Sequence, residues 1–374
     1  MAKSVRVHVD EIVQGPDRVR RTARAEHFRG GRQTGTTEFF FDLTGPDVAR
    51  PLPATDWAVL GVLFGAMRRR QDIHIDAPVS KSLLDNLEEF QAAFSMWLPQ
   101  LNKVDIVAQS ETSSAPAAPA DDAVVAFSGG VDASFTAYRH LFRKAGKRHK
   151  NLKTAVLVHG FDIPPDNEEA FRRAADTAQT ILDGTGLSIA SVRTNLKPLL
   201  GFSWEQAFLA ALGACLHQFS ANHGTALIAS GESYVDAVYP WGSNPATNHL
   251  LGSDFMRFVT DGSGFSRTQK VGSIADWPAA RDNVRVCWEG PITGRNCGRC
   301  EKCIRTILNF RAVGAPLTGA FPVDVSDDQI RDLKLRRPIH LALFVEIYEA
   351  ARSRGLAGSW LTELKHVIDR GVQA

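Results

Sequence analysis

A chain of 374 residues with 44% hydrophobic and 22% charged residues has ample apolar material for a buried core. Its 43 Lys and Arg against 41 Asp and Glu leave a net charge of +2. That balance excludes a strong overall field for nucleic acid or an anionic membrane and leaves only a local basic patch open. No uninterrupted apolar run long enough for a membrane span is present, and the start Met-Ala-Lys-Ser-Val-Arg-Val-His-Val-Asp lacks the apolar core of a signal peptide. Four of the five cysteines crowd between Cys287 and Cys303, so a cytoplasmic protein with a metal site, not disulfides, is expected.

Residues 1–109 predict a small α+β N-terminal domain. It has β-type runs at 4–9 and 38–43, helices over 56–69 and 80–94, and a further short strand at Ile73-His74-Ile75. Trp97 and the run Phe39-Phe40-Phe41 read as core. A linker is expected over 110–121, where small and polar residues mix with Pro and Ala and no apolar period survives.

From 122 to 314 strands and helices alternate. Strands are expected at 123–127, 154–159, 188–193 and 226–230. Helices are expected at 133–147, with Phe135, Tyr138, Leu141 and Phe142 at helical spacing, at 167–182 behind the N-cap Asn167, and at 203–223 behind the pair Ser203 and Gln206. That alternation predicts an α/β fold with a doubly wound parallel sheet and ligands at the carboxyl ends of its strands. Residues 315–374 read as a helical C-terminal extension.

Phe127-Ser128-Gly129-Gly130-Val131-Asp132 lies between a buried strand and a helix. Adjacent glycines let the backbone take positive φ and approach a ligand closely. The loop amides and the helix start then form an anion cradle, to which Ser128 adds a hydroxyl. Asp132 repels phosphate unless a divalent cation such as Mg²⁺ intervenes. No GxxxxGK[ST] string is present, so this is not a Walker-type site. Further along, Arg267 and Lys270 are cations able to reach a phosphate, although an exposed helix start would hold the same residues.

Cys287, Cys297, Cys300 and Cys303 have the spacing C-x9-C-x2-C-x2-C. Four thiolates satisfy tetrahedral Zn²⁺ and leave no position for a catalytic water, so a structural zinc site follows, with an iron–sulfur cluster as the rival. Arg295, Arg299 and Lys302 would offset the thiolate charge. Cys215, amid Ala, Leu and Phe, reads as core.

Ser128, Gly129, Gly130 and Asp132 resemble the SGGxDS signature of the PP-loop ATP pyrophosphatase superfamily. Ala133 stands where that family has Ser, and Ser134 follows one place later as a substitute hydroxyl. With the four cysteines and Tyr239-Pro240, residues 122–314 resemble the 7-cyano-7-deazaguanine synthase (QueC) branch of that superfamily. The resemblance implies an adenine nucleotide alpha hydrolase-like fold that binds ATP through residues 127–132, with His159 near the adenine and Gly231, Glu232 and Asp236 facing nucleotide and acceptor. It also implies a ligase in which Ser128, Asp132, Glu232, Asp236 and Lys270 act on catalysis. An acceptor carboxylate or carbonyl oxygen is adenylated with release of pyrophosphate, and ammonia or an amine then displaces AMP. The acceptor is a small molecule or a peptide. Ala2 denies the chain the N-terminal Cys of glutamine-dependent synthetases, so a partner protein supplying the nucleophile stays open, as does a homodimer. Two alternatives remain: sulfur transfer to tRNA or a small molecule, and a nucleotide-binding module without catalysis.

Overall fold

The computed structural model describes residues 1–113, 119–237, 239–287, 292–316 and 319–373. In the first segment run β1 (Lys3–Val13), β2 (Arg18–Arg29), β3 (Arg32–Thr44), α1 (Asp56–Arg69), β4 (Asp72–Ser80), α2 (Lys81–Trp97) and β5 (Ile106–Thr112). Of the linker expected over 110–121, its start belongs to β5, and residues 114–118 lie outside the described residues. There follow β6 (Asp122–Ala126), α3 (Val131–Leu141), β7 (Asn151–His159), α4 (Glu168–Leu182), β8 (Ser188–Thr194), α5 (Leu196–Leu199), α6 (Trp204–Leu216), β9 (Thr225–Ala229) and β10 (Arg257–Asp261). The chain continues through α7 (Arg267–Ala275), α8 (Pro278–Asn283), α9 (Glu301–Ala312), α10 (Asp327–Arg331), α11 (Pro338–Ser353) and α12 (Ser359–Arg370).

All ten strands belong to one α/β sheet in the order β10-β9-β6-β7-β8-β3-β2-β1-β4-β5. The pairs from β10 to β8 are parallel, and so are β1–β4 and β4–β5, while β8–β3, β3–β2 and β2–β1 are antiparallel. Within the parallel half the chain winds outward from β6 in one direction to β7 and β8, then in the other to β9 and β10. Its topological switch point therefore falls between β6 and β9, where the carboxyl ends open a crevice for ligands.

Alternation along the central strands sorts their side chains into two cores. Val124, Val156, Val192, Ala226 and Ile228 join α1, α2 and α6 on one face. Val125, Ala155, Leu157 and Leu227 join α3, α7, α9, α11 and α12 on the other. Helices on both faces explain why these strands read as continuous apolar runs.

Residues 1–109 do not form a sheet of their own. Strand β3 pairs with the edge of β8 from Phe41↔Thr194 to Thr44↔Ser191. Asn195 extends that ladder, accepting from Phe40 N at 3.0 Å and donating to Glu38 O at 3.1 Å. Phe41 is fully buried there, edge-on to Trp57 at 5.4 Å between centroids. Arg21, 2% exposed, adds hydrogen bonds to Gln218 at 3.1 Å and to the Val48 and Arg50 carbonyls at 3.2 Å.

Strand β2 escaped the sequence reading because the inward positions Arg21, Ala23 and Ala25 carry a charge and two methyls in place of large apolar groups. The helix expected over 133–147 ends at Leu141, ahead of Arg143 at φ 53°, a left-handed conformation that a helix cannot continue through. The helix expected over 203–223 becomes a tight 3-10 turn from His217 to Phe219.

Because one sheet and the core that holds Phe41 serve both halves, Phe41→Ala is expected to cost about 3–5 kcal/mol. Urea unfolding followed by tryptophan fluorescence and by circular dichroism should show one shifted transition. Two separate transitions would mean that the halves fold independently.

Candidate anion pocket and metal centre

The segment after β6 turns sharply. Gly129 sits at φ 73°, and Gly130 caps α3 with no side chain serving its N-terminus. A Cβ on Gly130 would lie 3.2 Å from Ser128 Oγ, so the glycine keeps this turn compact. Ser128 is exposed, and its Oγ accepts a long 3.4 Å hydrogen bond from Gly130 N. The backbone donors of a helix start are thus left facing a small cavity of about 80 Å³. Ser128, Gly130, Val131, Asp132, Ala133, Asp162, Arg267, Arg285, Val286, Cys287 and Lys302 line it.

Asp132, in the first turn of α3, pairs with Arg267 at 2.8 Å and Lys270 at 3.2 Å. Both cations come from the first turn of α7, whose N-cap Ser266 forms a complete capping box with Gln269. Neither is an exposed surface charge: Arg267 is 9% and Lys270 1% exposed. Lys270 Nζ also donates to the Ser230 carbonyl, just past β9. One ammonium therefore spans the switch point, tying the end of β6 to the end of β9. Burial pushes the Asp132 carboxyl up, but Arg267 and Lys270 more than reverse this and hold it below the usual carboxylate range. Arg267 Nε is buried with no hydrogen-bond partner among the described residues.

Two further cations enter from the segment around the cysteines. Arg285 N donates to Gly129 O at 2.8 Å, and its guanidinium reaches Ser128 O at 3.3 Å and Cys287 O at 3.4 Å. Lys302, in the first turn of α9, lines the same cavity and has no ion pair among the described residues. Neither Arg285 nor Asp162 was singled out from the sequence, and Lys302 was read only as a neighbour of thiolates. Position relative to the cysteines was the one available signal.

Other expected site residues lie elsewhere. Phe127 is a buried core residue behind the loop. Ser134 is fully buried in α3 with its hydroxyl unpartnered, and it does not line the cavity, so Ala133 is not replaced there by a hydroxyl. His159 stacks on Phe171 at 4.3 Å, bonds Pro164 O at 2.8 Å, and borders a separate cleft with Arg18, Arg20, Asp42 and Arg193. Gly231, Glu232 and Asp236 follow β9 in a polar turn, where Ser233 Oγ donates to Asp236 at 2.7 Å, and none of the three lines the cavity.

Cys287, Cys297, Cys300 and Cys303 form a group whose sulfurs all lie within 4.8 Å of one another and could hold a metal such as zinc. Cys287 and Cys300 are 3.8 Å apart, and Cys297 and Cys303 3.9 Å. Zinc–sulfur bonds of about 2.3 Å in a tetrahedron require sulfurs about 3.8 Å apart, so the set fits a single ion. Cys297 Sγ accepts from Arg299 N at 3.4 Å and Cys300 N at 3.3 Å across a turn that Gly298 makes at φ 72°. Hydrogen bonding from Cys303 lowers the Cys300 thiol below the usual thiol range, which favours the thiolate a cation would bind. Asn296 braces the first ligand, accepting from Val286 N at 2.8 Å and Cys287 N at 3.2 Å while donating to Val284 O and Ala320 O at 2.8 Å each.

No protein-family model matches the chain, and no curated protein and no solved structure shows a significant match to it. Among the described residues no helix is long and apolar enough to cross a membrane.

Asp132→Asn strands two cations and should cost about 3 kcal/mol at pH 7, the low end for a broken buried pair because this side chain is 22% exposed. The folded carboxyl lies below its unfolded value of about 4, so its stabilising contribution is complete above that pH and is lost as pH falls through the folded value. Urea unfolding at stepped pH should show the gap between wild type and variant constant from pH 7 to 5 and narrowing below about pH 4. A gap that widened in acid would reverse the assignment.

Proposed function

We propose that the protein is an ATP-dependent, AMP- and pyrophosphate-forming ligase of the PP-loop kind, similar to the QueC branch. One observation carries this reading. At the switch point of the sheet a left-handed glycine loop and an uncapped helix start face Arg267, Arg285 and Lys302 across a cavity. Its size suits a phosphate group and is small beside the roughly 300–1000 Å³ that encloses a whole drug-sized ligand. The nucleoside would therefore extend outward from a gripped phosphate.

In this reading the loop and the cations hold the β- and γ-phosphates as a leaving group. An oxygen of the acceptor carboxylate attacks the α-phosphorus, and the bond to the bridging oxygen breaks. Its electron pair leaves on pyrophosphate, whose developing charge the loop amides, Arg267, Arg285 and Lys302 neutralise. Asp132 holds Arg267 and Lys270 in place. With Asp162, the other carboxylate of the cavity wall, it offers oxygen ligands to Mg²⁺ carried in by ATP. Ammonia or an amine then attacks the acyl carbon, a proton is lost from nitrogen, and AMP departs with the carbon–oxygen electrons. The acceptor is a carboxylate of a small molecule or peptide.

Sulfur transfer finds less support. Cys215 is fully buried in α6, and burial pushes its thiol up, so it is no persulfide carrier. The other four thiols sit close enough for one shared ion, whereas in an iron–sulfur cluster the cysteines bind different irons and are spread further apart. Zinc in a structural role fits the closed set.

ATP–pyrophosphate exchange screened across candidate acids, 7-carboxy-7-deazaguanine among them, should be stimulated by one acid class, and Asp132→Asn should lower the rate at least a hundredfold. Exchange unmoved by every acid and by that substitution would end the adenylation reading. Elemental analysis should find one zinc per chain, reduced well below that by Cys297→Ser; iron with acid-labile sulfide would revive sulfur transfer.

A further inference from the structure

The four-cysteine centre and the phosphate pocket share a wall. Cys287 lines the cavity beside Arg285, whose amide is tied to the glycine loop at Gly129 O, 2.8 Å away. Lys302 lies between Cys300 and Cys303, next to Cys303 and two residues after Cys300. Cys300 is the N-cap of α9 and Cys303 is buried in its first turn. Fixing both sulfurs on one ion would fix the helix start that carries Lys302.

Two of the nearby carboxylates are engaged by other cations, while Asp162 lines the cavity wall and lies near Lys302 without forming an ion pair with it. Arg267 and Lys270 take Asp132, and Arg305 takes Glu301 at 3.0 Å. Lys302 itself has neither an ion pair nor a hydrogen bond among the described residues, although it is only partly exposed and lies in a cavity with Arg267 and Arg285. The cavity wall holds three cations, Arg267, Arg285 and Lys302, against two carboxylates, Asp132 and Asp162, and Asp132 is shared with Lys270, so a positive excess remains that a bound polyanion offsets.

We propose that Lys302 is a further phosphate-binding residue and that the four-cysteine centre is its positioning device, so that metal occupancy sets the anion affinity of the pocket. This rests on reading the cavity as a phosphate site and extends that reading to the metal. The centre would then act on the ligand without touching it, through two residues of α9 and the Arg285–Cys287 segment.

Calorimetric titration of the full, metal-loaded chain with pyrophosphate, Mg²⁺ kept in excess to prevent chelation of the bound metal, tests the proposal. Lys302→Gln should weaken binding about tenfold and Lys302→Arg should recover most of it. Wild type stripped by a chelator, with its fold checked by circular dichroism, should lose the same factor, and Lys302→Gln should then lose nothing more. Unchanged binding by Lys302→Gln, or by stripped protein that remains folded, would overturn the proposal. Should stripping unfold the chain, cobalt replaces the metal: magnesium pyrophosphate should shift the thiolate-to-cobalt band in wild type but not in Lys302→Gln, and a band that does not move overturns it equally. The two readings separate cleanly. Acid-dependent exchange that is untouched by Lys302→Gln keeps the ligase and removes this role. Lys302-dependent pyrophosphate binding without exchange keeps the role and removes the ligase.

Discussion

The pairing of Asp132 with Arg267 and Lys270 governs how the rest of the site is arranged. These groups come from α3 and α7, which the sheet alone would leave free to shift against each other. Lys270, 1% exposed, also holds the Ser230 carbonyl, so its charge is satisfied from both strands that flank the switch point. A buried ammonium with one partner would be destabilising; with a carboxylate and a carbonyl it becomes a strut. Behind it, a second buried lock repeats the design. Asp261 at the end of β10 accepts from Arg139 at 2.7 Å and Thr136 at 3.1 Å, so α3 is pinned to the sheet along its next turns as well. The glycine loop starts from this fixed helix, and its conformation depends on it.

Much of this could be read in the residues. The parallel strands announced themselves because they are covered on both faces, which leaves unbroken apolar runs such as Val124-Val125 and Leu227-Ile228. Helix α1 was recovered at its observed bounds, since twelve of its positions are buried and Arg68 and Arg69 mark its end. The loop and the cysteines stood out because their chemistry is local in sequence. What stayed hidden is assembled across long separations. Lys302 and Arg285 meet the loop only through the fold, about 160 residues after Ser128. Strand β2 hides its inward face behind Arg21, whose partners on Gln218 and the Val48 and Arg50 carbonyls cannot be inferred from neighbouring residues. Resemblance to a family motif placed His159 and Asp236 by analogy, and neither shares the cavity with the loop.

The electrostatics of the cavity are lopsided in a useful way. The loop side supplies backbone amides, the Ser128 hydroxyl and, in the first turn of α3, the Asp132 carboxylate. The positive charge comes from Arg267, Lys302 and Arg285, the last tied to the loop itself, and Asp132 and Asp162 offset part of it. Under the proposed phosphate reading, the cations attract a ligand and the loop amides orient it, so that long-range attraction and short-range geometry are set by different groups. A chain with a net charge of only +2 achieves this by local concentration, which is why the overall balance gave no hint of it.

The antiparallel seam between β3 and β8 has a consequence for the autonomy of the parallel half. Four residue pairs and the Asn195 side chain cover what would be an open edge on β8. Without β3, that edge would present unsatisfied amides and carbonyls in a strand whose Ala190 and Val192 pack into the larger core. The leading hundred residues are thus the lateral terminus of the sheet as much as an appendage to it, and they act as a molecular selvedge that keeps the parallel half from fraying into intermolecular pairing.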